Sequence, residues 1–169
     1  MPEFSTKLEA IIYTRPVSTP AAEWREFDLG PGIFHLPEGE ETGVRLRNIG
    51  DYELEEFIQD ACQLKSLVML NLSENRPLSD EGLKDIYKLE HLTTLNLSSC
   101  GLTNPGLEYV AKLTHLSNLD LSYCNRINDL GMKKLQALTS LTYLNLQGCV
   151  KVTHAAAVRL RRRGLTIRT

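Results

Sequence analysis

Leucine recurs in this chain as a fixed triplet. Leu67, Leu70 and Leu72 are followed by Leu92, Leu95 and Leu97, by Leu116, Leu119 and Leu121, and by Leu141, Leu144 and Leu146. Counted at the middle leucine, the spacing is 25, 24 and 25 residues. Three positions after each closing leucine stands Asn75, Cys100, Cys124 or Cys149, so one pattern, L-x-x-L-x-L-x-x-N/C, runs four times in constant phase. Self-similarity at a period of roughly 20 to 50 residues means that no unit can bury its apolar face alone. The chain is constrained to a stacked array in which each unit is completed by its neighbours.

Within a unit two periodicities alternate. Leu-x-Leu has period two, so each unit opens with a short strand whose leucines share one face, while Asn71, Asn96, Asp120 and Asn145 share the other. The second half switches to helical spacing in Leu83, Ile86 and Leu89, in Leu107, Val110 and Leu113, and in Met132, Leu135 and Leu138. Asp80, Thr103 or Asn104, Asn128 and Thr153 precede these stripes, where a side-chain oxygen can accept from the unpaired N–H groups of a first helical turn. Helices are wider than strands. Stacked units therefore bend into a curved solenoid, with a parallel sheet on the concave side and helices on the convex side.

The pattern matches the leucine-rich-repeat signature. Units such as LNLSSCGLTNPGLEYVAKLTHLSN (95–118) and LDLSYCNRINDLGMKKLQALTSLTY (119–143) resemble the cysteine-containing class of leucine-rich repeats, over about residues 64–169. That class is familiar from the substrate-recognition halves of F-box proteins and from bacterial arrays, including secreted effectors. The resemblance is specific for the fold and not for a function. Leu36, Pro37 and Glu38 are similar to the opening of an F-box, but proline-rich, strand-like sequence precedes them and Trp24 lies on the wrong side, so the segment departs from that helical module.

Partial units flank the four full ones: Val44 and Leu46 with Leu54 and Phe57 before them, Val152 and Leu160 with Leu165 and Ile167 after them. Residues 1–42 carry five of the seven prolines and no repeat. The alternation from Trp24 to Leu29, the Gly30-Pro31-Gly32 break and apolar Ile33 to Leu36 predict a β-hairpin that serves as an N-terminal cap over the first repeat. The expected organisation is thus a cap segment at 1–42 and a repeat domain at 43–169.

Three of the four cysteines occupy the asparagine position of the repeat, where a small polar side chain points inward and satisfies backbone groups at a turn. In that row they would lie ~5 Å apart, whereas zinc draws its sulfurs to ~2.3 Å from one point. No metal site and no cofactor are expected, and reduced thiols, with no signal peptide and no long apolar run, point to the cytoplasm and away from a membrane. Cys62 has no recognisable base beside it, and His91 and His115 repeat one position without a third ligand. The cluster Arg159, Arg161, Arg162, Arg163 and Arg168 has no interleaved aromatics for base stacking, so it reads as a solvated end and no nucleic-acid partner is expected.

Net charge is only −2, but residues 1–84 hold 8 Lys+Arg and 16 Asp+Glu (−8), while residues 85–169 hold 11 and 5 (+6). Such a dipole allows weak head-to-tail self-association. No acid, base and nucleophile set is recognisable, so the chain is not expected to be an enzyme. The expected role is a non-catalytic protein-protein interaction module. The alternative, carried by the resemblance, is a substrate-recognition or adaptor component of a ubiquitin-ligase-type or bacterial effector system. Partner-binding positions are the strand residues that face away from the core: Met69, Asn71 and Ser73; Thr94, Asn96 and Ser98; Asn118, Asp120 and Ser122; Tyr143, Asn145 and Gln147. The same Asn and Ser columns could instead bond to one another as side-chain ladders.

Overall fold

Alternating leucines become strands in every unit, and the computed structural model describes residues 2–169. The described residues form β1 (Glu3–Thr6), β2 (Ala10–Pro16), β3 (Arg25–Leu29), β4 (Gly32–His35), β5 (Glu40–Leu46), α1 (Asp51–Ala61), β6 (Leu67–Asn71), β7 (Thr94–Asn96), α2 (Asn104–Val110), β8 (Asn118–Asp120), α3 (Asp129–Lys134), β9 (Tyr143–Asn145), α4 (His154–Leu160) and β10 (Thr166–Arg168). Eight strands make one sheet in the order β10-β9-β8-β7-β6-β5-β2-β3. Its strands from β5 to β10 are parallel, as units stacked in one direction require, while β2 runs antiparallel to β5 and β3 antiparallel to β2. The register aligns Leu70, Leu95, Leu119 and Leu144 in one row, all buried. No helix of the described residues is long and apolar enough to cross a membrane.

The stripes predicted to be helical all face the core, and Leu83, Ile86, Leu107, Val110, Met132, Leu135 and Leu138 are essentially inaccessible. Their spacing of three suits a 3-10 turn, in which positions i and i+3 eclipse, as well as an α-helix. The first full unit carries two 3-10 turns, Glu81–Leu83 and Ile86–Lys88, in place of an α-helix, α2 with the same spacing is α-helical, and α3 tightens into a 3-10 turn at Leu135–Ala137.

The polar residues ahead of the stripes act differently from the expectation at two of four places. Asn128 and Thr153 do cap their own helices, accepting from the amides of Leu130 and Ala156. Asp80 and Thr103 make no such bond. Asp80 instead reaches the next unit and accepts from the Thr103 amide (2.8 Å) and hydroxyl. The same diagonal runs from Asp51 to Ser79 (2.7 and 2.6 Å), from Asn104 to the Asn128 amide (3.0 Å) and from Asp129 to Thr153 (both 2.8 Å). These bonds depress the Asp129 carboxyl below its ordinary range. Room for them comes from glycine: a Cβ on Gly82 or Gly131 would stand 2.6 Å from the Asp51 or Asn104 oxygen, and one on Gly106 would collide with Asp80.

In the N-terminal region strands form where they were expected, at 25–29 and 32–35, but they do not pair with each other. β3 pairs with β2 and β4 with β1, so no 24–36 hairpin exists. The cause is tertiary packing. Phe34 faces inward from β4, its ring 6.0 Å from Phe4 on β1, and Phe4 meets Phe57 of α1 edge-on at 5.7 Å. Burying Phe34 there draws β4 away from β3. Leu36, Pro37 and Glu38 lie between β4 and β5, and the first helix begins only at Asp51.

Candidate functional site

The parallel register lines up the outward strand positions as well as the leucines. Met69, Thr94, Asn118 and Tyr143 stand opposite one another in one column, and Asn71, Asn96, Asp120 and Asn145 in the next. Ser73, Ser98, Ser122 and Gln147 follow two residues later. The sequence therefore assembles all twelve candidates on one strand face, turned away from the leucine core. Ten are half-buried by their neighbours; Ser122 and Asn145 are buried.

The second column is held by its own backbone. Asn71 Oδ1 accepts from the Ser73 amide at 3.0 Å, Asn96 from Ser98 at 2.9 Å, Asp120 from Ser122 at 2.8 Å and Asn145 from Gln147 at 3.1 Å. This is the local side-chain-to-backbone bond that short amides and carboxylates favour. One cross-strand bond joins the column, from Asn145 Nδ2 to Asp120 Oδ2 at 2.9 Å. Ser122 Oγ donates to Asp120 as well, at 2.6 Å. Elsewhere the Asn side chains are fixed by their strands and not by a continuous ladder, which orients their amide groups in advance.

Sequence reasoning missed that the face continues past the first repeat. Gly43 stands opposite Met69 and Arg45 opposite Asn71, and on the other side of β5, Tyr13 faces Gly43 and Ile11 faces Arg45. Gly43 has no side chain, and the space above it is filled by the Met69 methyl and the Trp24 ring. The Arg15 guanidinium lies 4.5 Å from the Trp24 ring centre and is held by Glu41 at 2.6 Å. An aromatic and cationic end thus adjoins Met69. Its signal in the sequence was the outward alternation Ile11, Tyr13, Arg15, legible only once β2 is known to join the repeat sheet.

A second feature was also missed. The residue ahead of the Asn/Cys position is left-handed in every unit: Glu74 (φ 69°), Ser99 (58°), Tyr123 (60°) and Gly148 (73°). A bulky side chain in this region is uncommon. Tyr123 is 53% exposed, lies over Gly148, and with 80%-exposed Val150 makes an apolar rim beside the strand face.

The inward cysteines occupy turns, as their column predicted. Cys100 Sγ donates to the Leu72 carbonyl, Cys124 to Leu97 and Cys149 to Leu121, at 3.1, 3.1 and 3.0 Å. Asn75 does more: its amide donates to Leu46 and Leu72 carbonyls (3.0 and 2.9 Å) and its oxygen accepts from the Ile49 amide (3.0 Å). Burial pushes the thiols of Cys100 and Cys124 up to about 12 and raises that of Cys149. Protonated thiols bonded to carbonyls are poor nucleophiles and poor ligands. Among the described residues no three His, Cys, Asp or Glu side chains converge as a metal site. His91 and His115 are exposed at the strand entries. Arg162 bonds the Leu138 and Leu141 carbonyls, while Arg159, Arg161, Arg163 and Arg168 are exposed.

Comparison with known proteins agrees with this geometry. The pattern of the leucine rich repeat matches residues 90–150, and a second leucine rich repeat family matches residues 63–86. A chain from the crystal structure of the Rad7 and Elc1 complex in yeast superposes with a TM-score of 0.59 at 25% identity, over 70% of this chain. The present chain spans 30% of that one. No curated protein has a significantly similar sequence. Leucine-rich-repeat domains generally mediate protein-protein interaction and are typically non-enzymatic. The parallel sheet, the leucine rows and both family matches assign leucine-rich repeats to residues 63–86 and 90–150 of this chain.

Proposed function

We propose that the chain is a non-catalytic interaction module that binds a protein partner through the strand face, the concave side of a leucine-rich-repeat solenoid, with residues 1–42 as a cap on the repeat domain 43–169. The observation that carries this reading is the continuity of the face: twelve outward side chains in register, four of them clamped to their own strands, between Tyr143 at one end and Met69 with Trp24 at the other. Side chains ordered before binding lose little freedom on binding, and aromatic anchors beside a polar floor suit a protein interface. The bonded, protonated thiols support residence in a reducing compartment such as the cytoplasm.

The test is affinity capture from the host's lysate with three forms: the wild type, a Thr94→Arg, Tyr143→Ala double variant, and Gln136→Arg on the exposed helical side as control. Asn145 is left intact because it is buried and holds Asp120. A protein retained by the wild type and the control but reduced at least about tenfold by the face variant supports the reading, since tenfold is ~1.4 kcal/mol, a modest anchor. Equal retention by all three moves the site off this face.

A second reading, an adaptor or substrate-recognition component of a ubiquitin-ligase-type or bacterial effector system, is supported by the likeness to a chain crystallised within a two-protein complex. Recovery of ligase adaptor proteins in the same capture favours it. Their absence from a capture that does recover a face-dependent partner removes it.

A further inference from the structure

The charge difference between the two halves acquires a location in the fold. The sheet order puts β3 and β10 at opposite ends of one eight-stranded sheet. On β3 and the loop before it, Glu23, Glu26 and Asp28 are exposed, and none is in an ion pair among the described residues, while the one cation there, Arg25, is held by Glu40 at 2.6 Å. At the other end Arg161, Arg163 and Arg168 are exposed and likewise unpaired among the described residues. Each end also shows apolar surface: Phe27 and Leu29 on β3 are 39% and 58% exposed, and Val158 on α4 is 41% exposed.

We infer that the β3 end of one copy docks on the β10 end of a second copy of this chain. An edge strand offers unpaired N–H and C=O groups to another chain. Charge decides which edges meet. Two β3 ends repel, two β10 ends repel, and β3 against β10 attracts while covering apolar side chains on both. The contact joins different surfaces, so it is heterologous and adds copies head to tail, as a ring or an open line according to the rotation between them. Both edges are blunted against unlimited growth: β10 is three residues long, Phe27 bulges out of the β2–β3 register, and the Leu29 amide is occupied by its neighbour Asp28 at 2.8 Å. The association is consequently weak and salt-controlled. It is independent of partner binding on the strand face.

Sedimentation velocity tests it. Between ~0.01 and ~1 M salt the Debye length shrinks from ~30 to ~3 Å. The wild type is expected to show a sedimentation coefficient that rises with protein concentration at the low end and returns to that of the monomer at the high end. Two charge-reversed forms, Glu26→Lys with Asp28→Lys, and Arg161→Glu with Arg163→Glu, are each expected to stay monomeric alone and to associate when mixed, because each then carries the complement of the other's altered end. All four positions are exposed, and unchanged thermal melts confirm the fold. A wild type that is monomeric at low salt at every concentration overturns the inference. So does association that survives high salt or both reversals, or a mixture that fails to associate.

Discussion

The N-terminal region and the repeats share one sheet but are built on different rules. In the repeats each column has one residue type and one role, with leucine in the core rows, Asn or Cys on the turn carbonyls, Asp or Asn on the next unit's entry, and glycine making room for it. The N-terminal strands obey no column. Phe4, Phe34 and Phe57 meet to hold β1 and β4 against α1, and β2 runs against the direction of the strands on both sides of it. Periodic structure is therefore robust to the identity of any one unit, whereas the irregular region depends on a few large side chains.

The largest effect should come from breaking that dependence. Phe57 is fully buried and edge-on to Phe4, so Phe57→Ala is expected to cost about 3–5 kcal/mol in urea unfolding. If the two regions are energetically joined, a single unfolding transition persists. A separate early transition would show that the repeats stand without the N-terminal strands.

Asn75 is where the regions meet, because it binds backbone on both sides of the junction. Asn75→Ala removes the side-chain partner of the Leu46 carbonyl and the Ile49 amide, while the Leu72 carbonyl keeps Cys100 Sγ; it is expected to cost about 2–3 kcal/mol, at ~1 kcal/mol or more for each lost partner. Cys124→Ala, at the equivalent position two units on, removes one bond to the Leu97 carbonyl, which keeps the Cys100 amide (3.3 Å), and should cost about 1 kcal/mol or less. Equal losses at the two positions would mean that junction and array are held alike. Between them lies Gly106→Ala, whose Cβ would displace Asp80 from Thr103; a loss of ~1–3 kcal/mol is expected, as for overpacking. A neutral result would show that the diagonal bonds yield easily.

The last effect is one of pH and is nil at neutrality. Cys100 and Cys124 ionise near 9.0 when unfolded and at about 12 in the fold, so the unfolded chain releases protons first as pH rises. Their contribution is fully present below pH 9 and is lost between about 9 and 12. Melting temperatures recorded across that window should fall less steeply for Cys124→Ala than for the wild type.

The contrast also explains what could be read from the residues alone. Leucine spacing was sufficient for the strands, their register and the inward stripes, because each unit repeats the same local demand. The twelve outward positions followed from strict alternation. Tyr13, Arg15 and Trp24 were not legible, because their place beside Met69 depends on which strand β2 pairs with, a long-range choice that local spacing does not carry. The spacing of Asp80 suggests a cap for its own helix, since it does not reveal that the acceptor serves the following unit. The glycines at 82, 106 and 131 were the available signal: they share the repeat period and leave a notch into which the preceding unit's oxygen fits.

That diagonal has an evolutionary reading. Each unit carries the acceptor that its successor needs and receives the one its predecessor supplies, from Asp51 to Ser79, Asp80 to Thr103, Asn104 to Asn128 and Asp129 to Thr153. A gene segment encoding one whole period can therefore be duplicated or excised anywhere along the array and still find its complement on both flanks. The reach of the molecule can change by recombination alone, without inventing a new contact.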